Sequence, residues 1–164
     1  MDGGKMKRIY PLLAIAIPIT VLDQIAKWIV RSNLKLWESK PIIPGFLYLS
    51  HVANRGAAFG IMRGLSWLLI PISILAIVFI FLYYKAYRND VWMRISLGFL
   101  LGGALGNLID RVRLGYVVDF VDLRWWPSFN LADASVCIGA ILLAYRLGFR
   151  KVKEDEEKWR DINA

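Results

Sequence analysis

The chain has 164 residues, of which 57% are hydrophobic, and its mean hydropathy is +0.47. A soluble domain is about 45–50% apolar, and here the excess is concentrated in long runs, so an ordinary soluble domain is excluded. The net charge of +8 comes largely from Lys and Arg beside those runs, as is typical of membrane spans, and we expect no nucleic acid as a partner.

Four apolar runs are long enough to cross a bilayer as helices, at about residues 11–30, 65–87, 92–110 and 131–149. The first contains Asp23, Gln24 and Lys27 and has no small-residue cleavage site, so we interpret it as a retained helix and not as a signal peptide. The third is rich in glycine, which lets membrane helices approach closely. We predict an all-α membrane fold with four transmembrane helices in one domain, residues 1–164.

Two of the connections between these spans are long. The first, at about 32–64, contains an aromatic and aliphatic segment at 46–52, for which we predict a small extracytoplasmic β element between helices 1 and 2. The third, at about 112–130, is rich in Asp and Trp. The tail at 151–161 carries charges of both signs, and we expect a solvated or frayed end there.

The distribution of Lys and Arg predicts the orientation of the chain. Four spans place both termini on one side of the membrane. About 12 of the basic residues lie in the termini and the second connection, against about 8 in the first and third connections. We therefore expect cytoplasmic termini, with the two long connections outside.

Apart from Asp2, Glu38, Asp90 and the five acids of the tail, the chain has five carboxylates, namely Asp23, Asp110, Asp119, Asp122 and Asp133. All five then lie in the outer half of the membrane or at its outer surface. A carboxylate at membrane depth costs about 2.5–3.5 kcal/mol on insertion scales, so each needs a partner or a function. Folding back the third connection brings Asp119 and Asp133 together. Two adjacent carboxylates share a proton, as an aspartic peptidase requires, since one takes a proton from water while the other protonates the scissile carbonyl.

Both members of this pair also have a purely structural interpretation. Asp133 is placed to cap the fourth helix, although Asn130 serves equally well. Asp119 is close in sequence to three possible ion-pair partners, Arg111, Arg113 and Arg124. If the pair is catalytic, the N-terminus of the helix favours a charged Asp133, which makes it the better candidate for the base.

The chain offers little for a metal site. Its single cysteine, Cys137, lies in an apolar run, where we expect a small buried side chain. The single histidine, His51, has no His or Cys neighbour in the sequence. We therefore expect neither a metal nor another cofactor.

Five blocks of sequence occur in a specific order, namely Asp23-Gln24 with Lys27, Asn54-Arg-Gly-Ala-Ala-Phe59, Gly102-Gly-Ala-Leu-Gly-Asn-Leu-Ile-Asp-Arg111, Gly115-Tyr-Val-Val-Asp-Phe120 and Phe129-Asn-Leu-Ala-Asp133. Over nearly its whole length the chain resembles the lipoprotein signal peptidase (signal peptidase II) family. The resemblance implies a membrane-embedded aspartic endopeptidase that removes the signal peptide from diacylglyceryl-modified prolipoproteins, cutting N-terminal to the lipidated cysteine.

The resemblance also implies particular residues and a location. Asp119 and Asp133 correspond to the catalytic pair, which uses no metal, and the family's other critical polar positions correspond to Asp23, Asn54, Asn107, Arg111 and Asn130. We expect a multi-pass protein of the bacterial cytoplasmic (inner) membrane, with its active site towards the outer face. The expected partners are the lipidated prolipoprotein and membrane lipids, and we expect a monomer.

Roles for the supporting residues follow from their spacing. Asn107 and Arg111 share a helix face, which can present an amide and a guanidinium to substrate carbonyls or to the lipid ester. Asn130 is placed to orient Asp133 or the attacking water. Asn54 lies in a predicted glycine-containing loop that is suited to binding the peptide backbone.

The remaining acids have simpler interpretations. Asp23 and Lys27 are four residues apart, and we expect an internal ion pair in preference to contact with substrate. Asp110 is expected to pair with a nearby arginine, and Asp122 is the least constrained.

Two other classes of protein compete with a peptidase. Buried acids also serve small transporters, but four spans without an internal repeat are few for a transporter, and the polar groups gather at one surface instead of the midplane. A partner-binding membrane subunit that uses the glycine face of the third helix would explain the glycines. It would not explain the concentration of Asp and Asn.

Overall fold

A computed structural model describes residues 3–56, 66–87 and 89–163, with side chains described for 9–56, 67–87 and 89–148. In chain order the elements are α1 (Gly3–Asn33), β1 (Ser39–Ile43), β2 (Leu47–Asn54), α2 (Ser66–Tyr87), α3 (Val91–Leu114), β3 (Val117–Asp122) and α4 (Leu131–Asn163). Within these described ranges, four helical stretches are long and apolar enough to span a membrane: Ile9–Asn33, Trp67–Tyr87, Val91–Leu114 and Leu131–Gly148. The four predicted spans are therefore confirmed.

The helix α3 is the centre of the bundle. Half of the most apolar 18-residue stretch of α3 is buried, against 17% of the corresponding stretch in each of the other three spans. The helix packs against all three. Between α1, α2 and α3 lies an apolar core formed by Leu12, Ala16, Ile80, Tyr84, Leu97 and Leu101. The outward faces of α1, α2 and α4 remain apolar and exposed, as the lipid-facing surfaces of membrane helices are.

The glycines of α3 permit its close contact with α1 and α4. A Cβ on Gly102 would lie 2.9 Å from the Ala16 carbonyl oxygen, and a Cβ on Gly103 would overlap the carbonyl oxygen of Ala132. A Cβ on Gly106 would lie 2.6 Å from Asp23 Oδ2. The glycine face therefore packs within the chain, and it is not a free surface for a partner subunit.

The strands form one antiparallel sheet in the order β1-β2-β3. The hairpin of β1 and β2 confirms the β element predicted between the first two helices. The strand β3 comes from the connection between α3 and α4, and it pairs Asp119 with Val52 and Val117 with Asn54. We predicted no strand here, although five of the six residues from 116 to 121 are β-branched or aromatic, which favours a strand.

Two features position β3. Gly115 ends α3 with φ at 75°, a left-handed conformation that glycine adopts without steric cost, so the chain turns sharply into the strand. A second apolar cluster of Val30, Leu34 and Val118 then joins the end of α1 to β3. The sheet is thereby attached to the same end of the bundle as the first turn of α4.

The charged tail at 151–161, for which we expected a solvated or frayed end, continues as helix to Asn163, so the frayed alternative is wrong. The expectation for Cys137 is also wrong. Cys137 is exposed on α4 and not buried, because it lies outside the seam that faces α3. The segment 57–59 of the Asn54 motif lies outside the described residues.

Candidate active site

The two acids predicted to form a pair lie on adjacent elements. Asp119 is in β3 and only 1% exposed, and Asp133 is in the first turn of α4. Asn130 contacts both: its Nδ2 donates to Asp119 Oδ1 at 2.8 Å, and its Oδ1 accepts the backbone N–H of Asp133 at 2.9 Å. The Asn130 side chain thus contacts the carboxylate of Asp119 and the backbone of Asp133 at the same time.

The alternative structural roles of these acids are only partly realised. Asn130 is the N-cap of α4, and Asp133 Oδ2 accepts the backbone N–H of Asn130 at 3.2 Å, as in a capping box. Asp133 therefore contributes to the cap with one oxygen only. Among the described residues Asp119 forms no ion pair within 4.0 Å, and Arg124 lies 3.7 Å from Asp122 instead.

Two more asparagines complete the hydrogen bonding of the acids. Asn107 Nδ2 donates to Asp133 Oδ1 at 2.8 Å, and Asn54 Nδ2 donates to Asp119 Oδ2 at 2.9 Å. Asn54 is the last residue of β2, not a loop residue, and its Oδ1 accepts the backbone N–H of Gly56 at 3.0 Å. Both Asn54 and Asn107 thus orient the acids, and the side chain of Asn107 is buried away from the surface.

Behind Asn107 lies a buried ionic cluster. Lys27 Nζ is 2.8 Å from Asp23 Oδ2 and 3.1 Å from Asp110 Oδ2, and the three side chains are almost completely buried. The same ammonium donates to Asn107 Oδ1 at 3.0 Å. The ion pair expected within α1 is confirmed, and Asp23 also accepts the backbone N–H of Ala132 at 2.9 Å. The cluster therefore ties α1 to α3 and to the start of α4.

Asp110 has a different environment from the one we predicted. Its partners are Lys27, Gln24 Nε2 at 3.1 Å and the backbone N–H of Val118 at 3.0 Å, so the expected pairing with arginine was wrong. Gln24 also donates to the Gly106 carbonyl oxygen at 3.0 Å. The sequence marks Gln24 and Asp110 as candidate site residues, since each is adjacent to a motif residue, Asp23 or Arg111. It does not predict their partners, which are distant along the chain.

Arg111 lies on the partly exposed side of the acids. Its guanidinium is close enough to Asp133, Asp119 and Asp110 to be attracted by their carboxylates. Its Nε is buried and has no hydrogen-bond partner among the described residues. Asn107 and Arg111 therefore do not act alike: the amide is used within the protein, while the guanidinium has one donor that no described residue accepts.

The environment of Asp119 perturbs its acidity. Burial of the carboxyl group, together with the nearby Asp133 carboxylate, raises the pKa of Asp119 to about 7 against the opposing hydrogen bonds from Asn54 and Asn130. Near neutral pH the carboxyl group of Asp119 is therefore protonated in a substantial fraction of molecules, close to a second carboxyl group. This is the protonation state that general acid–base catalysis by two carboxyl groups requires.

No group of three or more His, Cys, Asp or Glu side chains within the described ranges is arranged to hold a metal ion. His51 is buried in β2, where its Nδ1 lies 3.0 Å from the Leu34 carbonyl oxygen and joins the strand to the end of α1.

Comparison with known proteins identifies the family of the chain. The sequence profile of the family described as Signal peptidase (SPase) II matches residues 15–149. The chain belongs to the signal peptidase II family. A lipoprotein signal peptidase of Halothermothrix orenii is 50% identical over 79% of this chain and 89% of its own length. That of Syntrophotalea carbinolica is 42% identical over 89% of this chain and 98% of its own length.

Solved structures share the fold. Two bacterial membrane enzyme structures, determined in meso at 2.3 Å and 1.9 Å, superpose with TM-scores of 0.79 and 0.76, each at 35% identity over 83% of this chain. The superpositions cover 86% and 91% of the respective solved chains. As a member of the signal peptidase II family, the protein is a multi-span membrane protease that removes signal peptides from prolipoproteins.

Proposed function

We propose that Asp119 and Asp133 are the catalytic pair of this signal peptidase II. The observation that supports this most strongly is the bridge through Asn130, which hydrogen-bonds to both residues in an otherwise buried site. With a pKa of about 7, Asp119 is the member suited to hold the shared proton and pass it to the scissile carbonyl oxygen. Asp133, at the N-terminus of α4, then takes a proton from the attacking water.

Each supporting residue has a distinct proposed part. Asn54, Asn107 and Asn130 orient the two carboxylates by donating hydrogen bonds to them or by capping α4. Lys27 holds Asn107 and Asp23 holds the start of α4, and neither residue contacts substrate. Arg111 is the group proposed to bind a substrate carbonyl or the lipid ester, since its Nε has no protein partner among the described residues.

The substrate is proposed to be a diacylglyceryl-modified prolipoprotein, cut N-terminal to its lipidated cysteine. The site lies where α4 begins and where the sheet joins α1 and α3, so it is at an end of the membrane helices and not at their midpoint. Lipid chains attached to the cysteine can remain in the bilayer while the scissile bond reaches the pair. The exposed apolar helix faces are available to those chains.

The decisive experiment uses the purified protein in detergent with a diacylglyceryl-modified prolipoprotein. Asp119→Asn and Asp133→Asn are each expected to lower the cleavage rate by at least about 10³-fold, since two carboxyl groups act together. The matched control is Asp122→Asn on the same strand, whose carboxylate accepts the Ser50 hydroxyl at 2.9 Å, outside the pair, and which keeps activity. A chelator should have no effect. Full activity in either folded pair variant would overturn the assignment.

We also propose that both termini are cytoplasmic and that the site faces outward in the inner membrane of a bacterium. Single cysteines placed in a Cys137→Ala background test this orientation. The exposed hairpin position Lys40→Cys should react with an impermeant maleimide added to intact spheroplasts, whereas Asn89→Cys, between α2 and α3, should react only after permeabilisation. The reverse pattern would contradict the orientation.

The purified enzyme is expected to be a monomer by light scattering.

A further inference from the structure

The buried carboxylate of Asp110 connects three parts of the fold beside the proposed catalytic pair. Its Oδ2 accepts the backbone N–H of Val118 in β3 at 3.0 Å and lies 3.1 Å from Lys27 Nζ in α1. Its Oδ1 accepts a hydrogen bond from Gln24 Nε2 at 3.1 Å. The residue is 3% exposed, so water cannot replace these partners easily.

One route from Asp110 leads directly to Asp119. Val118 immediately precedes Asp119, and its backbone N–H points away from the rest of the sheet towards α3, where the Asp110 carboxylate accepts it. A hydrogen bond to this peptide restricts the strand at the residue next to Asp119. Small errors in the placement of a reacting group cost large factors in rate, so this restriction matters for catalysis.

A second route leads to Asp133. Lys27, held between Asp110 and Asp23, donates to Asn107 Oδ1 at 3.0 Å. An amide whose oxygen accepts an ammonium must direct its NH₂ group the other way, and Asn107 Nδ2 indeed donates to Asp133 Oδ1 at 2.8 Å. The position of the Lys27 ammonium therefore selects the orientation of Asn107 that supports Asp133.

We propose that Asp110 is a positioning residue that aligns both members of the pair, Asp119 through the Val118 peptide and Asp133 through Lys27 and Asn107. It does not touch substrate. This role rests on the proposed catalytic function of Asp119 and Asp133. It gives a physical reason for a buried acid that the reaction itself does not use.

The test compares Asp110→Ala and Asp110→Asn with a matched variant of the same helix. The matched residue is Asp90, the N-cap of α3, which lies at the opposite end of that helix. Like Asp110, it accepts a hydrogen bond from a backbone N–H, that of Met93 at 3.2 Å, and it forms an ion pair with Arg146 Nη2 at 2.7 Å. Asp90→Ala thus removes a comparable set of contacts far from the pair. Steady-state cleavage and thermal unfolding are measured for each purified protein in detergent.

Asp110→Ala is expected to lower kcat about 100-fold while KM stays within about threefold, because the pair is misplaced while substrate binding is unaffected. Asp110→Asn should lose only about tenfold, since its amide oxygen can still accept the Val118 N–H. Asp90→Ala should lose thermal stability but keep kcat. If Asp110→Ala or Asp110→Asn unfolds at a lower temperature yet keeps the wild-type kcat, the positioning role is wrong.

Failure of this inference is distinguishable from failure of the proposed function. If Asp119→Asn cleaves normally, the catalytic pair is wrong and Asp110 has nothing to position. If Asp119→Asn is inactive while Asp110→Asn has the wild-type kcat, only the role of Asp110 is refuted. Should Asp110→Ala not fold, Asp110→Asn alone decides, because it retains an oxygen acceptor and nearly the same volume.

Discussion

Asn130 and Asp133 hold each other reciprocally at the start of α4, since Asn130 Oδ1 accepts the Asp133 N–H at 2.9 Å and Asp133 Oδ2 accepts the Asn130 N–H at 3.2 Å. Asn130 Nδ2 takes no part in this cap, and it donates a hydrogen bond to Asp119 Oδ1 at 2.8 Å. One residue therefore begins the helix and joins the two acids. The cap and the proposed catalytic geometry depend on the same side chain.

The two functions of Asn130 are separable by substitution. Asn130→Ser is expected to keep the cap, because serine is a good N-cap residue, but to lose the hydrogen bond to Asp119. Asn130→Ala should lose both, with a stability decrease of about 1 kcal/mol. We expect at least a tenfold loss of kcat in both variants and a stability loss only in alanine. Equal activity of wild type and Asn130→Ser would show that the contact with Asp119 is dispensable.

The raised pKa of Asp119 predicts a pH-dependent effect on stability. The native state retains the Asp119 proton up to a pKa of about 7, whereas the unfolded chain releases it near its ordinary value of 3.8. This group therefore favours the native state at low pH, and its contribution declines as pH rises from about 4 to 7.

Asp119→Asn cannot ionise, so it does not lose this contribution as the pH rises. The Tm of the variant minus that of wild type should therefore increase with pH across that range, in addition to any pH-independent difference caused by altered hydrogen bonds. Thermal unfolding followed by tryptophan fluorescence between pH 5 and pH 8.5 measures the difference. A difference that stays constant with pH would mean that Asp119 is not protonated near neutrality in the native state.

Close packing at Gly106 predicts a large effect from one methyl group. A Cβ there would lie 2.6 Å from Asp23 Oδ2 and 3.1 Å from the Ala132 Cβ, so Gly106→Ala should displace Asp23 from Lys27 and lower both stability and kcat. The control is Gly148→Ala in α4, because a Cβ added at Gly148 would meet no atom within 4 Å. It should be neutral or slightly stabilising in a helix. Similar Tm values for the two variants would contradict the packing argument.

The single cation of the buried cluster predicts a severe effect of Lys27→Met. Asp23 and Asp110 would both lose their ion pair in a buried site, and breaking such a pair costs about 3–5 kcal/mol. We expect poor recovery of folded protein in detergent. The control Lys40→Met removes an exposed pair with Glu38 at 3.8 Å and should change Tm little. Adding Asp110→Asn to Lys27→Met should restore part of the stability, since one buried charge is removed.

The sequence alone determined the membrane class, the four spans and the pair of candidate acids. Spans follow from local hydropathy, because a stretch of about 20 apolar residues crosses a bilayer whatever the rest of the chain does. Asp119 and Asp133 stood out because acids are costly near a membrane and because their motifs resemble one family. The capping role of Asn130 is also local, since it involves residues only three positions apart.

Only the tertiary structure decided the partners of these residues. Asn54 reaches Asp119 across 65 positions, Lys27 reaches Asn107 across 80, and Val118 is held by an acid for which the sequence predicts an arginine partner. Such contacts depend on the approach of α1 to α3 along the glycine face and on the addition of β3 to the hairpin. Periodicity and spacing describe neighbours along one element, whereas a buried polar network is set by which elements pack together.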